Sequence, residues 1–213
     1  ILNFIDGRPN DRIGLVLFGG EAFTQCPLTT DHKVLKNMFP QIKAGMLNQG
    51  TAIGLGLANA VARIKDSKAK SKVIIFISDG VNNVGEISPI TAGELAKTYG
   101  IRVYCIGVGT HGKALQPVAM YAEGQYEYDY VDVDVDEKVM TEISELTDGK
   151  YFRATDEESL KAIYSEIDKM EKSIVSERNF SKKAEHFLPL ALAAFLLLVL
   201  EFVLRYTFFK AVP

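Results

Sequence analysis

Residues 72–78 read Lys-Val-Ile-Ile-Phe-Ile-Ser, and this run decides the fold. From Val73 to Ile77 no polar residue interrupts it, so it has no wet face. A strand with one solvated face alternates polar and apolar residues. A continuous apolar run is a strand covered on both faces, and such strands are usually parallel. Two further runs have the same character, 12–18 (RIGLVLF) and 101–108 (IRVYCIGV). Helical patterns separate the three. Residues 51–65 place Ile53, Leu57, Ala60, Val61 and Ile64 on one face. Ser88-Pro89 supplies an N-cap followed by proline at the first helical position. The helix it opens is expected to turn Ala92, Leu95, Ala96 and Tyr99 inward and to stop at Gly100. Strands alternating with helices predict a three-layer α/β architecture with a doubly wound, mostly parallel sheet.

The flanks extend this frame. Residues 22–26, just after Gly19-Gly20, read as an edge strand hairpinned onto the first run. Residues 31–39 form a short helix ended by Pro40. Residues 136–146 are helical, with Val139, Ile143 and Leu146 inward and Gly149 closing the segment. A short last strand follows at 150–153. Thr155 and Glu158 then make a capping box for a long helix whose apolar face carries Leu160, Ile163, Ile167 and Ile174. Residues 114–135 break the alternation; 118–121 and 126–133 can form a hairpin around Glu123-Gly124. The acidic tract Asp132, Asp134, Asp136 starts like a calcium loop. It has Glu137 where that loop needs glycine and Ile143 where it needs glutamate, so it reads as a solvated acidic strand face.

Composition excludes several classes. The 213 residues carry a net charge of −3, against the basic surface of a nucleic-acid binder. Cys26 and Cys105 lie far apart without metal-ligand spacing and define no zinc site. His32, His111 and His186 are scattered over loops. No dinucleotide fingerprint, phosphate-binding loop or nucleophile elbow is present. Gly54-Leu55-Gly56 falls inside a helical pattern, where it signals close packing. The chain is therefore expected not to be an enzyme.

Both ends are distinctive. The chain opens on Ile1, and residues 1–5 have apolar residues at helical spacing before Asp6-Gly7 stops them. A domain seldom starts in mid-helix, so a processed or truncated piece is expected. At the other end, residues 187–200 contain no charge. A helix over 188–209 is long enough to cross ~30 Å of hydrocarbon, with Glu201 and Arg205 paired near one end. The polar stretch 178–187 links it to a domain over 1–177. Basic residues flank both ends of the span, so its orientation stays open.

Ligands of open α/β sheets bind at the carboxyl ends of the strands. Two signals fall there: Gly50-Thr51-Ala52-Ile53-Gly54 entering a helix, and Ser78-Asp79-Gly80 after the buried run. Taken singly, Thr51 is a helix N-cap and Asp79-Gly80 a turn. Together they are oxygen donors on one rim, which suits a hard cation such as Mg²⁺.

That order of motifs resembles a von Willebrand factor A domain with its metal-ion-dependent adhesion site. The resemblance covers about residues 1–177. It implies that Thr51 and Asp79 are the metal ligands present, for Mg²⁺ or for Mn²⁺ or Ca²⁺. The Asp-x-Ser-x-Ser part of the signature is absent, and it would precede the helix that residues 1–5 finish. The central first strand would be absent with it, leaving the site incomplete and the isolated chain poorly stable. Residues 7–14 (GRPNDRIG), 23–31 (FTQCPLTTD), 135–137 (VDE) and 205–209 (RYTFF) are similar to the bacterial Bat (aerotolerance) proteins, the BatA type in particular. That family implies a module anchored in the bacterial cytoplasmic membrane. Its implied partners are a protein offering an acidic side chain, other Bat proteins and a MoxR-type AAA+ ATPase. The alternative is a structural membrane scaffold whose metal site is non-functional.

Overall fold

The computed structural model describes the backbone of residues 1–43, 45–109, 112–120, 126–133, 135–181 and 187–207. It describes the side chains of these except 112–120, 126–133, 173–181, 187–190, 203 and 205–207. The chain divides into two compact units, Ile1–Glu171 and Lys172–Pro213.

The first unit is the expected layered domain. Strands β1 (Ile13–Phe18) and β2 (Ala22–Thr29) form an antiparallel pair. Strands β3 (Val73–Ser78), β4 (Arg102–Val108) and β7 (Tyr151–Ala154) form a parallel sheet in that order. The pleat sends alternate residues to opposite faces. Ile74, Phe76, Val103 and Cys105 enter one core with helices α3 (Ile53–Ile64), α4 (Pro89–Thr98) and α5 (Glu137–Leu146). Tyr104, Ile106 and Phe152 enter the other with helix α6 (Glu157–Ser181), and Phe4 of the short helix α1 (Leu2–Asp6) joins them. A smaller core around Ile5, Cys26 and Leu35 seats helix α2 (His32–Met38) on the β1–β2 pair. Among the described residues no hydrogen-bond ladder joins β1 to β3. Their link is a stacked pair of rings, Phe18 on Phe76 with centroids 4.7 Å apart.

Local chemistry explains the boundaries. Asp31 caps α2 by accepting from the amides of Lys33 and Val34. The Gly-x-Gly of α3 is a packing device, as its helical placement implied. A Cβ on Gly54 would lie 2.0 Å from the Ile87 carbonyl oxygen, and one on Gly56 would lie 2.7 Å from the Phe18 ring. Strands β5 (Gly112–Met120) and β6 (Tyr126–Val133) form the predicted hairpin, with a longer first strand than expected. Its turn, Asp134 and His111 lie outside the described residues, as does His186.

Two details depart from the sequence reading. Leu95 and Tyr99 of α4 are exposed, and Gly93 is buried instead, because α4 rolls that glycine onto Ile143 and Leu146 of α5. The cap of α6 sits one residue later than Thr155: the Asp156 carboxylate accepts from the Ser159 amide at 2.7 Å. The Ser159 hydroxyl accepts back from the Asp156 amide at 3.1 Å. Both cysteines are free and buried. Burial pushes the Cys105 thiol up to about 12, with a hydrogen bond to Ser144 opposing.

In the second unit, helix α7 runs Phe187–Thr207. Among the described residues no helix is long and apolar enough to cross a membrane. The unbroken run of α7 with described side chains is 191–202, about 18 Å at 1.5 Å per residue. The span expected over 188–209 is therefore not seen as such, and residues 208–209 lie outside the described residues. Within the described run, the consecutive residues Phe195, Leu196, Leu197 and Leu198 are each at least 60% exposed. The linker expected at 178–187 is helical as far as Ser181, where α6 ends.

Candidate metal site

Three loops meet at the carboxyl ends of β1 and β3, and hydrogen bonds join them. The Ala52 amide donates to the Gly19 carbonyl at 2.7 Å, and the Gly20 amide to the Asn48 carbonyl at 2.8 Å. Those two bonds fix the start of α3 against the end of β1. Across the rim, the Thr51 amide donates to Asn83 Oδ1 at 2.8 Å, and the Asn83 amide returns a bond to the Thr51 carbonyl at 3.1 Å. The Ile53 amide donates to Asn82 Oδ1 at 2.9 Å.

This pattern reassigns Thr51. The N-cap of α3 is Ala52, which has no capping side chain. A helix start leaves unsatisfied amides. Here Asn82, from the loop after β3, supplies the acceptor from outside. Thr51 is thus released from capping, and among the described residues its hydroxyl makes no hydrogen bond. Asp79 is exposed and makes neither an ion pair nor a hydrogen bond among the described residues.

The two loops are brought together at a glycine. A Cβ on Gly80 would stand 2.9 Å from Thr51 Oγ1, so the turn after Asp79 passes directly under the Thr51 hydroxyl. Ser78, buried at the strand end, holds that turn: its hydroxyl accepts from the Gly80 amide at 3.3 Å. A free hydroxyl and a free carboxylate on touching loops suit a hard, oxygen-seeking cation. They do not complete a shell, since among the described residues no group of three His, Cys, Asp or Glu gathers around any point.

The other acidic candidates have ordinary partners. Asp136 accepts from the Val139 amide at the start of α5. Glu137 pairs with Arg153. His32 bonds the Asp11 carbonyl in an exposed loop. Asn82 and Asn83 escaped the sequence reading. Their signal was a pair of amides one residue after Asp79-Gly80, a residue type that readily bonds nearby backbone groups.

Comparison with known proteins agrees with this fold. The family model of the von Willebrand factor type A domain matches residues 1–166. An uncharacterised protein of Borreliella burgdorferi is 30% identical over 218 residues, covering 100% of this chain and 62% of that protein. The chain therefore spans about three-fifths of that relative's length, and 52% of a related protein from Nocardia farcinica. Among solved structures, the conserved hypothetical protein BatB of Bacteroides thetaiotaomicron is 30% identical with a TM-score of 0.67, over 80% of this chain and 84% of that one. An aerotolerance-related membrane protein from Bacteroides fragilis is 29% identical with a TM-score of 0.63, over 79% and 84%.

Proposed function

This chain belongs to the von Willebrand factor type A domain family, and from that premise we propose a membrane-anchored, divalent-metal-dependent protein–protein interaction module. One observation carries the reading: the turn that follows Asp79 touches the Thr51 hydroxyl at Gly80, and among the described residues neither the hydroxyl nor the Asp79 carboxylate is used by the fold. Thr51 and Asp79 would hold Mg²⁺, or Mn²⁺ or Ca²⁺. A bound divalent ion with few protein charges around it supplies an attraction for a partner's Asp or Glu carboxylate. The chain's own residues provide the frame. Asn82 and Asn83 fix the Thr51 loop, Ser78 fixes the Asp79 turn, and Gly80 lets the two approach.

The Bat-like structures support a place among the Bat proteins; the BatA type, and a MoxR-type AAA+ ATPase as partner, are the finer assignment we make. Helix α7 supports the anchor. Successive helical residues are 100° apart, so Phe195, Leu196, Leu197 and Leu198 expose apolar surface all round the axis. A helix that is apolar on every side belongs in a buried core or in a bilayer. The bacterial cytoplasmic membrane is the bilayer we assign.

The scaffold alternative draws on a specific observation: among the described residues no three His, Cys, Asp or Glu side chains gather where they could hold a metal ion. A pull-down from membranes with the full-length protein separates the readings. The interaction module loses its Mg²⁺-dependent partners on EDTA treatment and in Asp79→Ala. Identical captures in all conditions would leave the scaffold.

A further inference from the structure

We infer that the basic loop between α3 and β3 docks on the anionic phospholipid headgroups of the membrane that α7 enters, a step that rests on the anchoring reading above. Residues 63–72 read RIKDSKAKSK, five basic residues against the single acid Asp66, in a chain whose net charge is −3. Arg63, Lys68 and Lys70 are exposed. Lys65 is half-buried with its ammonium 5.7 Å over the Tyr99 ring, and Lys72 donates to the Lys65 carbonyl. Exposed Lys97 in the last turn of α4 adds another cation next to Tyr99.

The place of this loop matters as much as its charge. It leads into the amino end of β3, and the Lys72 carbonyl accepts from the Arg102 amide at the amino end of β4. It therefore lies on the rim opposite Thr51 and Asp79. Helix α6 reaches the same rim at Glu171, the last residue of the first unit. There the Glu171 carboxylate accepts from Tyr104 at 2.7 Å, from Ser71 at 2.9 Å and from the Arg102 guanidinium. Burial works to raise this carboxyl, and those three donors outweigh it and hold it below the usual range. The rim's buried negative charge is thus satisfied internally, and Arg63 and Lys68 stand exposed on the loop. Only residues 172–186 then separate Glu171 from α7. Chain continuity sets this rim within reach of the bilayer, and an anionic leaflet attracts each nearby lysine or arginine by about fivefold in association.

The test uses the full-length protein in nanodiscs. Buried Cys26 and Cys105 leave Ala69→Cys, in the exposed loop, as the reactive thiol for a membrane-impermeant maleimide. Labelling is expected to slow at least about fivefold in discs containing phosphatidylglycerol relative to phosphatidylcholine alone. Salt near ~1 M, where the screening length is ~3 Å, should abolish the difference. So should combined Arg63→Gln, Lys68→Gln and Lys97→Gln substitution. A reference thiol at exposed Glu86, beside the opposite rim, should label equally in both lipids. Lipid-independent labelling of an anchored Ala69→Cys chain overturns the docking alone. A chain that fails to co-elute with phosphatidylcholine discs overturns the anchoring, and the docking with it. Protection by a DNA duplex equal to that by phosphatidylglycerol would show a nucleic-acid surface instead and also overturns the docking.

Discussion

At the scale of single residues, the site depends on who caps α3. Asn82 accepts from the Ile53 amide across the rim, so Thr51 keeps its hydroxyl. Asn82→Ala should remove the cap and cost about 1 kcal/mol, the usual effect of losing a capping side chain. Urea denaturation reads this. An unchanged midpoint would mean that water replaces the amide and that Asn82 does not position the loop. Thr51 and Asp79 stand out as candidates in the sequence because loops at the carboxyl ends of parallel strands are where ligands bind. Asn82 was not legible, because its partner is about thirty residues away and only the folded rim joins them. Gly80 shows the same limit. In sequence it is a turn glycine, and only the neighbouring Thr51 hydroxyl shows why no side chain fits there.

At the scale of elements, strands were read best and helix ends worst. The runs at 72–78 and 101–108 became β3 and β4, whose two faces enter different cores and so leave a continuous apolar signature; the run at 12–18 became β1, half-buried in an antiparallel pair with β2. The inward face of α4 was misjudged, since a buried Gly93 carries no hydrophobic signal. The start of α6 was missed by one residue, since Thr155 and Asp156 are both capping types and only geometry chooses between them. That cap gives a pH prediction. Hydrogen bonds from the Ser159 amide and hydroxyl, with help from Thr155, hold the Asp156 carboxyl below its ordinary range. A carboxyl depressed in the folded state stabilises fully above its unfolded pKa of about 3.9 and loses that contribution as pH falls through the folded value. Asp156→Ala should therefore lower Tm at neutral pH, and the gap from wild type should narrow in acid below about pH 3.9. A gap that stays constant from neutral to acid pH would contradict the charged cap.

At the scale of the whole molecule, the domain has two functional rims. The carboxyl ends of the strands carry Thr51 and Asp79, and the amino ends carry the basic loop and the Glu171 network. A parallel sheet produces this polarity automatically, because every strand points the same way. The candidate metal site and the basic loop are thereby kept apart within one small domain. The central claim stays with the metal. Calorimetric titration of Mg²⁺ into the full-length protein tests it most directly, with Asp79→Ala as the control, since exposed and unpaired Asp79 can be changed without loosening the fold. The account predicts a single saturable site in the wild type that disappears in Asp79→Ala. Equal binding by both proteins, or no binding by either, would contradict it.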